Sequence, residues 1–95
     1  MRKSKISLDH TLKDIDYFKD SANYPDFILG LQEEFGEVAR AIRKGKNKFE
    51  IMEEVGDMIV FATAILHAHG YTLEDTLEYA AGKVVNKENE LQKRK

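Results

Sequence analysis

Apolar residues in this chain recur every three or four positions, and this spacing limits what the chain can fold into. The clearest run is Ile28, Leu31, Phe35, Val38 and Ile42, which would line one face of an α-helix. No segment shows the strict alternation of apolar and polar residues that is typical of a β-strand. The pattern therefore predicts an all-α protein.

Capping signals divide the chain into four predicted helices. These cover about 7–19, 25–44, 47–70 and 72–91. Asn47 followed by Glu50, and Thr72 followed by Asp75, have the spacing of N-terminal capping boxes. Gly45 is a typical C-terminal stop for the helix before it. Because the links are short, neighbouring helices should be antiparallel, and we predict a four-helix bundle.

Length and charge narrow the class of protein further. The 95 residues predict a single domain over 1–95, with a flexible basic start at 1–6 and a polar tail at 91–95. The net charge of −2 offers no basic field for a nucleic-acid polymer. The longest apolar run, 58–66, is too short to span a bilayer. The chain contains no cysteine, which suits a reducing compartment. We expect a cytoplasmic protein that binds neither nucleic-acid polymers nor membranes.

An acidic phrase occurs twice, as LQEEFGE at 31–37 and as IMEEVGD at 51–57. If the second and third helices form an antiparallel hairpin turning near Gly45, Glu34 lies level with Asp57, and Glu37 lies level with Glu54. Within each helix the two acids are three residues apart, about 4.5 Å along the axis. With helix axes about 8–10 Å apart, four carboxylates can converge on one small volume.

Oxygen-only ligands in this arrangement favour a hard cation, Mg²⁺ or Mn²⁺, rather than zinc. Mg²⁺ in turn indicates a phosphate-bearing substrate, because it commonly completes its shell with water and phosphate oxygens. Gly30, Ala41 and Ala64 lie on the carboxylate flank and are expected to keep that side open. Acidic pairs also decorate many solvated helix faces, but two copies in register about a turn favour the metal site.

The acidic phrases resemble the motif of the MazG-like all-α nucleoside triphosphate pyrophosphohydrolases, E-E-x-x-E, a spacer and E-x-x-D. Here the motif reads EEFGE at 33–37, a spacer of sixteen residues and EVGD at 54–57, and the similarity covers roughly 25–90. The resemblance implies Mg²⁺-dependent cleavage of a nucleoside triphosphate to the monophosphate and pyrophosphate, as in house-cleaning of the nucleotide pool. It also implies a homodimer or homotetramer.

The resemblance implies roles for individual residues as well. The implied metal ligands are Glu34, Glu37, Glu54 and Asp57. Glu37 would also activate the attacking water, whereas Glu33 matches the motif but is placed on the outward side of its helix. The implied phosphate contacts are Lys83, Asn86 and Lys87, a looser match, because the Lys-Asn-x-x-Arg order often seen in the family is not reproduced.

Several alternatives stay open from the sequence. Phosphoribosyl-ATP pyrophosphatase, which has related acidic helices, is a second enzymatic possibility, and a non-catalytic helical interaction module is a third. The basic turn RKGKNK at 43–48 could meet phosphates, although a solvated loop is the more common role. His67 is expected to act as a favourable partner of a helix C-terminus. The sequence does not define the preferred base, the preferred sugar, or the number of metal ions.

Overall fold

Two long antiparallel helices form the centre of the computed structural model, which describes residues 7–93. The elements in chain order are α1 (Leu8–Lys13), α2 (Asp16–Lys19), a 3₁₀ turn (Ser21–Asn23), α3 (Tyr24–Arg43), α4 (Lys48–Ala68) and α5 (Leu73–Lys93). Residues 7–93 contain no strand, which confirms the all-α prediction. The predicted flexible start at 1–6 lies outside the described residues, as do residues 94 and 95. Residues 91–93 of the predicted tail are helical.

The predicted first helix is divided into two short helices. Asp14 ends α1, and Ile15 has an extended backbone with φ −106° and ψ 116° before α2 begins. Asp is a poor residue for a helix interior because its short side chain competes for backbone hydrogen bonds. The prediction of a continuous helix over 7–19 was therefore wrong, although Leu12 is buried, as its place in the apolar pattern suggests.

The turn between α3 and α4 is fixed by hydrogen bonds on both sides. Gly45 takes φ +72°, and the N–H of Lys46 donates to the carbonyl of Ala41 at 2.9 Å, which closes α3. The predicted capping box of Asn47 and Glu50 then opens α4, with both reciprocal hydrogen bonds present. The predicted hairpin is therefore formed with little freedom at its turn.

The hairpin packs through small residues rather than through the predicted apolar stripe. Gly30, Ala41 and Ala64 are buried, and a Cβ atom added at Gly30 would lie 2.6 Å from the ring of Phe61. The expectation that these residues keep the carboxylate flank open was therefore wrong for Gly30, which faces the ring of Phe61, whereas Ala41 lines a cavity beside Glu37 and Glu54. The close approach of the two helices at Gly30 lies in the same seam as the carboxylates.

The predicted stripe on α3 is correspondingly exposed. Phe35 is 66% exposed, and Ile28 and Ile42 are also exposed, while Leu31 and Val38 are only partly buried. The buried core lies instead at the other end of the hairpin, where α1 and α2 cover it. Its fully buried members are Leu12, Phe27 and Ala64.

Helix α5 does not pack along the hairpin. Leu73 and Thr76 are partly buried, but all residues from 77 to 93 are exposed, and the exposed fraction of Val84 is 68%. The prediction that α5 buries an apolar face was wrong for the single chain, so these residues do not form a closed four-helix bundle. Among residues 7–93, none of the helices combines the length and the apolar character that crossing a bilayer requires.

The N-terminus of α5 is attached to the rest of the chain through Asp9. Its carboxylate accepts hydrogen bonds from the N–H of Leu73 at 2.6 Å and the N–H of Glu74 at 3.0 Å, and it pairs with His67 Nε2 at 2.8 Å. Burial alone would raise the pKa of Asp9, but these hydrogen bonds together lower that pKa below its ordinary value. Asp9 therefore joins α1, α4 and α5 at one point.

Candidate metal centre

Three carboxylates from the two central helices converge in the seam of the hairpin. One oxygen each of Glu34, Glu54 and Asp57 lies within 4.8 Å of the other two. Glu34 comes from α3, whereas Glu54 and Asp57 are one helical turn apart on α4. The antiparallel register therefore brings together three of the four residues that the sequence picked out as ligands.

Glu34 is the most constrained member of this group. Its Oε1 atom is buried and has no hydrogen-bond partner among the described residues. Burial raises the pKa of Glu34 above its ordinary value, and the charges of Asp57 and Glu54, together with a hydrogen bond between the side chains of Glu34 and Glu54, raise that pKa further. A buried acceptor without a partner is unfavourable by about 1–3 kcal/mol. A cation bound between the carboxylates would give this oxygen a partner.

The other two carboxylates of the first motif point elsewhere. Glu37 forms an ion pair with Arg40, one turn further along α3, and does not join the group of three. Glu33 is exposed, in agreement with its outward position on the helix. Glu37 still borders a cavity that Glu54 also lines, so Glu37 remains next to the centre.

The cations predicted to contact phosphate do not reach the carboxylates within one chain. Lys83 lies 5.5 Å from the ring centre of Tyr79, on the exposed part of α5. Lys83 and Lys87 line a groove made of α5 residues alone, and Asn86 is exposed on the same helix. The cavity beside the carboxylates is lined instead by α3, α4 and the turn between them.

Two contacts were missed in the sequence, one beside the carboxylates and one at the far end of α4. Arg40 approaches Glu37, and the i, i+3 spacing of opposite charges was the signal that could have revealed it. The contact between Asp9 and His67 joins residues 58 positions apart, which no local pattern indicates. His67 is therefore not simply a partner of its own helix end.

The fold and the seam define an all-α protein with an acidic cluster spanning a helix hairpin. The family model of the MazG nucleotide pyrophosphohydrolase domain matches residues 24–93. The chain therefore belongs to this family, as the acidic motifs indicated. No curated protein and no solved structure gives a significant match to the chain.

Proposed function

We propose that this chain is a Mg²⁺-dependent nucleoside triphosphate pyrophosphohydrolase, acting on canonical or damaged nucleotides to keep the nucleotide pool clean. The observation that carries the proposal is the convergence of Glu34, Glu54 and Asp57, with one buried oxygen of Glu34 left without a partner. Membership of the MazG family supports the same reaction class.

The donor set fits a hard divalent cation. All the available ligand atoms are carboxylate oxygens, which Mg²⁺ and Mn²⁺ prefer, and neither cysteine nor histidine belongs to the group. Glu34, Glu54 and Asp57 would hold the cation, and Glu37 could join them by leaving Arg40. When bound, Mg²⁺ would relieve the repulsion among the carboxylates and offset negative charge on the phosphate oxygens.

The reaction adds water across the anhydride between the α- and β-phosphates. The water oxygen bonds to the α-phosphorus, the bridging bond to the β-phosphate breaks, and pyrophosphate leaves. We assign Glu37 as the group that takes the proton from the attacking water, because it borders both the carboxylate group and the adjoining cavity. Glu33 is exposed, and we assign it at most a supporting role in catalysis.

We also propose that the active form is a homodimer or homotetramer. The exposed stripe on α3 has a spacing of seven residues at Ile28, Phe35 and Ile42, and α5 repeats this spacing at Leu77, Val84 and Leu91. Apolar surface of this extent favours burial against another helix face. A second copy would cover it, and Lys83, Asn86 and Lys87 on α5 would then serve a neighbouring site.

The experiment that tests the function measures pyrophosphate release from a panel of NTPs and dNTPs with Mg²⁺, with Mn²⁺ and with EDTA. We expect release that depends on the metal and that Glu54→Gln abolishes. Glu78→Gln is the control, because Glu78 is exposed on α5 and lies outside both the carboxylate group and the adjoining cavity.

The same assay separates the alternatives. If nucleotides are inert but phosphoribosyl-ATP releases pyrophosphate, the chain is the histidine-pathway enzyme. Release that persists in EDTA would contradict the metal-dependent reaction. If no substrate turns over and Mg²⁺ leaves the melting temperature unchanged, the chain is a non-catalytic interaction module.

A further inference from the structure

A cavity of about 180 Å³ adjoins the carboxylates at the turn end of the hairpin. Its lining contains three cationic residues, Arg40, Lys44 and Lys46, and four acids, Glu37, Glu50, Glu53 and Glu54. The cavity therefore combines three positive side chains with four acids, of which Glu54 belongs to the candidate metal centre. The predicted phosphate contacts on α5 do not line this cavity.

The two lysines are held at fixed positions rather than in a mobile loop. Lys44 is the C-cap residue of α3, and Lys46 is tied back to the carbonyl of Ala41. Gly45 between them adopts the left-handed conformation that permits this turn, and Asn47 starts the next helix immediately. The backbone at both lysines is therefore set before any ligand binds.

The charges around the cavity leave the lysines available. Glu37 is paired with Arg40, and Glu50 is engaged in the capping box of α4. Glu53 also lines the cavity, but it forms no ion pair within 4.0 Å with another described residue. Among residues 7–93, the ion pairs within 4.0 Å do not include Lys44 or Lys46. An anion entering the cavity would therefore meet two ammonium groups that need not first break an ion pair.

The opposite side of the carboxylates cannot offer the same chemistry. One turn away from Glu34 and Asp57, the ring of Phe61 is packed against Gly30 and fills the seam. Phe18 lies next to Phe61, with ring centres 6.1 Å apart. Apolar rings do not compensate phosphate charge. The cationic side chains that could do so lie at the turn end of the seam.

We infer that the cavity lined by Arg40, Lys44 and Lys46 is the subsite for the β- and γ-phosphates of the substrate, and for pyrophosphate after cleavage. This inference rests on the proposed function and makes it more specific. The triphosphate lies along the hairpin seam, with the α-phosphate at the carboxylates and the leaving group at the turn. Lys44 and Lys46 are then binding residues contributed by the same subunit as the carboxylates.

The test compares two double variants that change the net charge equally, from −2 to −4. Lys44→Ala with Lys46→Ala removes the two cavity lysines. Arg43→Ala with Lys48→Ala is the control, because these residues are exposed and flank the same turn but do not line the cavity. Circular dichroism and melting temperature establish that both variants are folded.

The primary measurement is the affinity for pyrophosphate in the presence of Mg²⁺, by isothermal titration calorimetry. We expect the cavity variant to bind pyrophosphate about tenfold or more weakly, a loss of about 1.4 kcal/mol, and the control to stay within about twofold. Mn²⁺ binding should be the same in both variants. Equal weakening in both variants, or no measurable pyrophosphate binding by the unmodified chain, would overturn the inference.

Turnover assays separate this inference from the proposed function. If the unmodified chain binds pyrophosphate through these lysines but hydrolyses no nucleotide, the proposed function fails and the anion site stands. If nucleotides are hydrolysed and the cavity variant has an unchanged KM and unchanged pyrophosphate inhibition, the function stands and the subsite is refuted.

Discussion

Replacing Glu34 by Gln should stabilise the metal-free protein, because the three carboxylates repel one another. Glu34 has an oxygen within 4.8 Å of oxygens on both Glu54 and Asp57. Two like charges at that separation repel by about 1 kcal/mol even at the dielectric constant of water. Removing the charge of Glu34 eliminates two such pairs, so the free energy of unfolding should rise by about 2 kcal/mol, or about 10 °C in melting temperature.

The pH dependence of this effect has a defined sign. Burial and the neighbouring carboxylates raise the pKa of Glu34, so the folded chain keeps this proton to a higher pH than the unfolded chain. The metal-free protein therefore loses stability as pH rises through the raised pKa. Glu34→Gln removes that loss, so the difference between the proteins should be largest at about pH 8 and should shrink towards about pH 4.

The assay is thermal or urea unfolding followed by circular dichroism, with EDTA and with millimolar Mg²⁺. Glu33→Gln is the matched control, since Glu33 is adjacent and exposed and should change stability by less than about 0.5 kcal/mol. Mg²⁺ should stabilise the unmodified chain and should have little effect on Glu34→Gln. Lower stability of Glu34→Gln in EDTA at about pH 8 would refute the repulsion argument, and an unchanged response to Mg²⁺ would refute the metal site.

Three further predictions concern packing, anchoring and assembly. Gly30→Ala should lower stability by about 1–2 kcal/mol in urea unfolding, because its Cβ would lie 2.6 Å from the ring of Phe61, whereas Gly36→Ala, with open space around it, should not. Asp9→Asn should lower the free energy of unfolding by about 1–2 kcal/mol at neutral pH, because an amide cannot replace both acceptor oxygens of the carboxylate. Because the pKa of Asp9 is lowered, this difference should fade as pH drops below about 4, and a constant difference would contradict the assignment. Phe35→Glu should reduce the mass measured by light scattering to that of one chain, and an unchanged mass would place the subunit interface elsewhere.

Local patterns in the sequence were sufficient for the helices that carry the site. Asn47 and Glu50 fixed the start of α4, and Gly45 fixed the turn, so the register of the hairpin followed from simple geometry. That register predicts Glu34 beside Asp57, and the two carboxylates do lie together. Periodicity and capping act over a few residues, which is why they are readable from one chain.

Long-range packing was not readable in the same way. The spacing around Phe35 predicts one apolar face on α3, but Phe35 is exposed and α3 approaches α4 where Gly30 faces the ring of Phe61, because a residue without a side chain allows a close approach. The attachment of α5 through Asp9 depends on a contact between distant parts of the chain. Hydrophobic spacing shows that a face will be covered, but it does not show by which element or by which copy of the chain.

The most direct test of the central proposal is a titration of the metal-free chain with Mn²⁺, followed by electron paramagnetic resonance. The account predicts saturable binding that Glu54→Gln weakens about tenfold or more and that Glu78→Gln leaves nearly unchanged. Equal Mn²⁺ affinity in the unmodified chain and in Glu54→Gln, or no saturable binding in either, would show that the converging carboxylates do not hold a cation.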